Sequence, residues 1–343
     1  MRIVLLDDSV TFDATTPATR PLGGAEKAFA ALPGALARRG HDVTVINNCP
    51  APATLEGARW LTWTAARPES ADVLIASRKA GLLETLPKAT HRLLWVMAPA
   101  TYLDKGPNRR RLNRTKPTLV FQGERHRDGW TPWKSFRRAV VPPGVTRPYL
   151  EAEAPQPARP PRAVVTAHPR HDVAWLLDVW RDHVVPRVPD AALHLYSGVL
   201  TAAEAGREAP PEDLRPVLAK ARETPGVVLC QPQGDRAMAE AYRAARVHLH
   251  PGVNSDVLAG TVADSQAVGC PAAGRPHGAL PERVRNGQTG FLVPDAEALG
   301  NVAVQLLTDD ATYDAMSRDA RHLQAGRDWD VVAAEFEPLW QQR

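Results

Sequence analysis

The chain has 343 residues, 44% hydrophobic and 23% charged, the balance of an ordinary globular protein and not of a disordered or fibrous one. That length exceeds a single hydrophobic core and predicts two α/β domains. Cys49, Cys230 and Cys270 are too widely spaced for a disulfide framework or a C-x-x-C metal site, and they imply a reducing compartment. No stretch reaches the roughly 18 apolar residues of a membrane span. The start enters a strand-like run without a cleavable apolar region, so a cytoplasmic protein is expected.

The net charge of +4 is mild, but its positive residues gather between 105 and 138, from Lys105 and the Arg109-Arg110-Arg111 run to Arg137 and Arg138. Such a region reads either as a solvated loop or as a patch for an anionic partner, including the head groups of the inner membrane face. Nucleic acid is not expected, because no aromatic-interleaved basic motif or zinc finger accompanies the charge.

The first half alternates between strand and helix. An IVLL run at residues 3–6 precedes an amphipathic helix after Gly24, in which Ala25, Ala28, Phe29, Leu32 and Leu36 recur at three- and four-residue steps. Pro33-Gly34 predicts a kink within that helix. Apolar strands follow at 42–46, 72–75, 93–96, 119–121 and 139–141, the pattern of a parallel sheet. Residues 1–150 therefore read as one Rossmann-like domain and the proline-rich residues 151–162 as a semi-rigid, hinge-forming connector. A second alternation over 163–325 predicts a second Rossmann-like domain. The tail, 326–343, carries Val331, Val332, Ala333, Phe336, Leu339 and Trp340 at roughly helical steps and is expected to pack back on the first domain.

In open parallel sheets ligands bind beyond the carboxyl ends of the strands, which directs attention to two loops. One ends in Leu22-Gly23-Gly24-Ala25-Glu26 at a helix start. Paired glycines let a ligand approach the backbone and free amides favour phosphate, although glycines that merely shape a turn look the same. The other runs from His250 to Cys270 and holds Asp256 and, eight residues on, Asp264. Both carboxylates have a place in one cleft, with amides near Gly260 and Thr261 meeting a diphosphate. The alternative is that Asp256 caps a helix and Asp264 lies on its wet side. Asp7-Asp8 reads as helix-capping or loop-shaping and not as a metal pair.

With those loops in view, the chain resembles the family 4 glycosyltransferases of GT-B fold along nearly its whole length. The resemblance rests on Gly-Gly-Ala-Glu at 23–26, Arg-Gly-His-Asp-Val at 39–43, Val-Pro-Pro-Gly-Val at 141–145, Val-Pro-Asp-Ala at 188–191, the acidic pair, and Leu-Pro-Glu-Arg-Val-Arg-Asn-Gly-Gln-Thr-Gly-Phe-Leu-Val-Pro at 280–294. It implies two Rossmann-like domains facing each other across a cleft and a retaining, metal-independent transfer from a nucleotide-diphosphate sugar, such as a UDP or GDP sugar. The donor is a substrate, and no cofactor is implied. The second domain would hold the donor and the first a glycan, lipid or small-molecule acceptor.

On this resemblance Asp256 positions the sugar and Asp264 the ribose, while Leu229 and Cys230 receive the base. Arg170, assisted by His168 or His171, and the Gly23-Gly24 loop offset diphosphate charge. Three departures stand at the chemistry itself. Both acidic positions are Asp where the family usually has Glu. Met97 stands where a His is common, so Met97 and Trp95 become the acceptor-side candidates, with Trp130 and Trp133 weaker ones. Ala167-His168-Pro169-Arg170-His171-Asp172 replaces a paired Arg and Lys. These departures leave open a catalytically degenerate GT-B protein serving as a nucleotide-sugar-binding or scaffolding subunit, and more remotely a sugar-nucleotide epimerase.

Overall fold

The apolar run near the start forms β1 (Arg2–Leu6), whose last four residues are buried. Continuous burial of this kind is what a parallel strand covered on both faces requires. The computed structural model describes residues 1–341 and falls into two units. One is Met1–Gly144 with Ser255–Leu258 and the chain from Arg327 onward, and the other is Val145–Asn254 with Ala259–Gly326.

In the first unit β1 is joined by β2 (Asp42–Asn47), β3 (Ala53–Leu55), β4 (Ala58–Thr62), β5 (Ser70–Ser77), β6 (Lys88–Trp95), β7 (Thr118–Phe121) and β8 (Arg138–Val140). The order is β3-β4-β2-β1-β5-β6-β7-β8, parallel throughout except for the β3–β4 pair. That hairpin is absent from the sequence reading. Its two-residue turn, Glu56-Gly57, has φ of 49° and 83°. Tight hairpins need positive φ at both turn positions, and Glu at the first is a weak signal for one. The Gly24–Arg38 helix continues through Pro33 and Gly34, and Gly34 lets Glu56 approach where a Cβ would collide.

The tail closes on this unit. Val332, Ala333, Phe336 and Trp340 share a core with Ile3, Phe29 and Val120, and Trp95 meets Trp329 and Phe336 edge-on at centroid distances of 6.3 and 5.2 Å. Arg39 and His41 both pair with Glu337.

The second unit is built on β9 (Arg162–Val165), β10 (Ala192–Tyr196), β11 (Val227–Cys230), β12 (Val247–His250), β13 (Ala272–Gly274) and β14 (Gly290–Leu292). Its order is β11-β10-β9-β12-β13-β14, with every neighbouring pair parallel. Gly290, at φ 150°, lies so close to the Ala272 carbonyl that no Cβ fits. The proline-rich segment belongs to this unit. Gln156 and Ala158 donate backbone N–H groups to the Arg243 and Ala244 carbonyls, each at 2.9 Å, and the chain passes between units at Gly144–Val145. Among the described residues the three cysteines are unpaired, and no helix is long and apolar enough to cross a membrane.

Candidate functional site

The loops beyond the carboxyl ends of β9, β12 and β13 are stitched together by one side chain. Arg275, just after β13, donates from Nε to the Pro251 carbonyl at 2.7 Å and from Nη2 to Asp172 at 2.5 Å. Its guanidinium carbon lies 4.0 Å from the Trp175 ring centroid, a cation–π contact. Gly252 makes this approach possible. At φ +60° a Cβ there would stand 2.1 Å from the Arg275 carbonyl oxygen, and its N–H donates to His250 Nδ1 at 3.1 Å.

The loop after β12 leads into the Gly260–Ala267 helix, entered through Ala259 at φ +43°. Beyond its chain neighbours and the helix's own backbone, nothing lies within 4 Å of where a Cβ on Gly260 would be, so the helix is open at this position. Thr261, half-buried, accepts a hydrogen bond from Thr166 Oγ1 at 2.9 Å. Asp264 is 5% exposed and does not lie on a wet helix side. Its charge reaches the buried phenols of Tyr149 and Tyr242, which burial first and Asp264 next push well above the ordinary tyrosine range. Asp256 stands in the short segment grouped with the first unit. Its Oδ1 accepts from Leu258 N–H at 3.0 Å, a turn before the helix, whose N-cap is Ala259.

Arg170 is not a free cation. Its Nε and Nη2 pair with Asp213 at 2.6 and 3.1 Å, and both side chains are more than half exposed. The charge of Arg170, the expected clamp, is matched here by Asp213 on the surface. His168 accepts from Arg170 N–H at 3.2 Å and stands 5.9 Å from His171, ring to ring. Burial, then the neighbouring His171 and Arg170, lower the His168 pKa, so this ring contributes little positive charge at neutral pH. Leu229 and Cys230 end β11, the edge strand. The Cys230 thiol lies 3.5 Å from His194 Nδ1 and is raised by burial.

In the first unit, exposed Gly23 and Gly24 open the Gly24–Arg38 helix. Behind them Arg78, at φ +61° beyond β5, binds Glu26 through Nη1 at 2.6 Å and Asp7 through Nη2 at 2.9 Å. Burial would raise the Asp7 carboxyl, but hydrogen bonds from Ser9 and the charge of Arg78 bring it below its ordinary value. Asp7 is thus an ion-pair partner. Met97 is 5% exposed, and its sulfur accepts from Ser77 Oγ at 4.0 Å. Trp95 is fully buried, so it is a core residue and cannot line an acceptor surface. Trp130 is likewise 4% exposed. Trp133 is only partly buried and lies beneath Arg109, 4.6 Å from the ring centroid. Sequence reasoning missed Arg78 and Arg275. Each is an Arg just past a strand's carboxyl end, the one signal available.

Comparison with known proteins bears on both the fold and this site. Residues 163–309 match the family model described as glycosyl transferases group 1. The chain is 31% identical over 149 residues to a D-inositol 3-phosphate glycosyltransferase of Streptomyces avermitilis, covering 43% of this chain and 32% of that protein. A protein of the same name from Corynebacterium efficiens is 27% identical over 188 residues, covering 54% of this chain and 40% of its own length. The chain therefore spans well under half the length of these relatives.

Among solved structures, sucrose-phosphate synthase from Thermosynechococcus elongatus is similar with a TM-score of 0.74 at 17% identity, over 100% of this chain and 99% of that one. Anabaena HepE, solved in complex with UDP-glucose, is similar with a TM-score of 0.70 at 12% identity, over the whole of both chains. The matched segment contains nearly all of β9 to β14, the Arg275 stitch and the Gly260–Ala267 helix, so over that segment the chain is similar to the group 1 glycosyl transferases, while the solved structures share its fold along the whole length.

Proposed function

We propose that the chain transfers a sugar, with retention and without a metal ion, from a nucleoside-diphosphate donor held by the second unit to an acceptor held by the first. The observation that carries this reading is the open start of the Gly260–Ala267 helix, with the Thr261 hydroxyl in its first turn and Asp264 one turn on. The first-turn amides and the positive end of a helix suit a diphosphate, and a buried carboxylate suits a sugar or ribose hydroxyl that replaces its lost water. The UDP-glucose bound by HepE supports the donor class. Arg275 keeps the three surrounding loops in register, and Asp256 has the role of orienting the transferring sugar. In this reaction the leaving phosphate oxygen takes the acceptor proton, so Met97 in place of a base does not forbid turnover.

The test is calorimetry with UDP, GDP, ADP and their sugars, followed by donor hydrolysis with and without EDTA. Binding with EDTA-insensitive hydrolysis is expected. The absence of binding to every diphosphate would remove the proposal. A second reading, a binding or scaffolding subunit, is favoured by the matched charge of Arg170 and the sealed thioether of Met97. Tight donor binding without hydrolysis or transfer to any acceptor would select it.

The acceptor class remains a glycan, lipid or small molecule within this proposal. An anionic surface is one place to find it. Arg109 and Arg110 are exposed on the Gly106–Thr115 helix near Lys134, which lies 5.0 Å from the Phe136 ring centroid. Sedimentation with vesicles containing anionic lipid at low salt, lost at high salt, is the expected result.

A further inference from the structure

Beneath the first turn of the Gly260–Ala267 helix, the second unit holds a chain of hydrogen bonds that ends on Thr261. His248 is fully buried. Its Nδ1 lies 2.9 Å from Ser265 Oγ and its Nε2 2.9 Å from Thr166 Oγ1. Thr166 Oγ1 in turn donates to Thr261 Oγ1 at 2.9 Å. Tyr242 stacks on the imidazole, with ring centroids 5.5 Å apart at 27°, and its hydroxyl also reaches Thr166. Burial, then the neighbouring His250, hold His248 down to about 3, so the ring is neutral and carries one N–H.

Counting hydrogens chooses the tautomer. Thr166 has a single hydroxyl hydrogen, which it gives to Thr261, so its oxygen has to accept from His248 Nε2–H. Nδ1 is then a bare acceptor and takes the Ser265 hydroxyl, in preference to the Val262 carbonyl that this hydroxyl also reaches at 3.0 Å. Because the Thr261 oxygen already accepts from Thr166, its own O–H does not point back into the network and is left to donate elsewhere. The opposite tautomer reverses every donor. Thr261 would then point its hydrogen inward and present only lone pairs, which repel a phosphate oxygen.

We propose that His248 is a positioning residue which, by carrying its proton on Nε2, fixes the Thr261 hydroxyl as a hydrogen-bond donor to the diphosphate of the donor sugar. This rests on the donor-binding reading of the second unit. His248 touches no substrate and acts through Thr166 and Thr261. The route was hidden in the sequence because its members are 82 and 95 residues from Thr166.

The test is calorimetry of the full chain with UDP, GDP and ADP, using His248→Phe, His248→Gln, Thr261→Val and the double variant His248→Phe/Thr261→Val. Hydrogen bonds to charged groups are the stronger ones, and loss of one corresponds to about tenfold in affinity. His248→Phe and Thr261→Val are each expected to lose about that much, and the double variant no more than either single one. Glutamine can supply a donor near Nε2, so His248→Gln should stay within about twofold of wild type on the same scale. Wild-type affinity in Thr261→Val or in a folded His248→Phe overturns the proposal. So do losses that multiply in the double variant, or His248→Gln failing as badly as His248→Phe, which would mean a merely structural role. If His248→Phe does not fold, Thr261→Val and His248→Gln decide it by the same criteria. A wild-type chain that binds none of the three diphosphates overturns the donor reading itself, and this inference with it.

Discussion

Arg275 lies over Trp175 while its guanidinium holds Asp172, 103 residues away in the chain, and the Pro251 carbonyl. Three loops after three strands therefore share one planar cation. Arg275→Lys keeps the charge but not the fork or the stacking surface, so it should recover little of what Arg275→Met loses. A loss of about 1–3 kcal/mol in urea unfolding is expected for Met, with weaker donor binding. A variant as stable and as active as wild type would show that the stitch does not hold the loops.

Asp264→Asn removes a buried negative charge while nearly preserving shape. Nucleotide affinity should fall by about tenfold or more if the carboxylate accepts ribose hydroxyls. Asp256→Ala should instead depress turnover and leave UDP affinity close to wild type. Calorimetry and single-turnover rates separate the two, and identical behaviour of both variants would count against distinct roles.

Gly252→Ala meets two obstacles at once, a left-handed backbone and a carbonyl oxygen 2.1 Å from the new Cβ. Backbone cannot move aside cheaply, so destabilisation of about 3 kcal/mol is expected, together with a displaced loop and lost activity. Chemical denaturation measures the first. A neutral result would mean that the β12 and β13 loops separate easily.

Glu337 gives the first unit a defined acid sensitivity. Hydrogen bonds from Arg39, against a smaller opposing effect of burial, and then the contact with His41 lower its pKa from 4.5 to about 2. A carboxylate with a depressed folded pKa stabilises fully above its unfolded value, and that contribution drains away as pH falls from about 4.5 toward about 2. Unfolding of the wild type should lose on the order of 2 kcal/mol across that window. Glu337→Gln should be less stable at neutral pH and show a flatter acid limb; an unchanged slope would contradict the pairing.

Trp95→Ala should cost about 3–5 kcal/mol, because the ring fills a core shared with Trp329 and Phe336. Any loss of transfer should track the unfolded fraction. Reduced activity in a fully folded, equally stable variant would return Trp95 to the acceptor side.

The parallel strands were readable from sequence because a strand covered on both faces is apolar along most of its length, as at Ile3 to Leu6 and Leu93 to Val96. The tail helix was readable because its apolar side needed cover. The β3–β4 hairpin was not, since Glu56 is a poor marker for positive φ. Nor was β13, whose Ala272-Ala273-Gly274 has little strand propensity and is held by its place between β12 and β14.

The sequence by itself determined the layered α/β class and the parallel strands, because these are properties of short windows and of regular periodicity. Tertiary structure alone decided that Arg170 meets Asp213, that Arg78 bridges Asp7 and Glu26, that Arg275 joins three loops and that His248 reaches Thr261 through Thr166. A charge or an imidazole has no fixed partner along the chain. Its partner is whatever the folded backbone brings within about 3 Å, and that distance is set by strands crossing over one another and not by spacing in sequence.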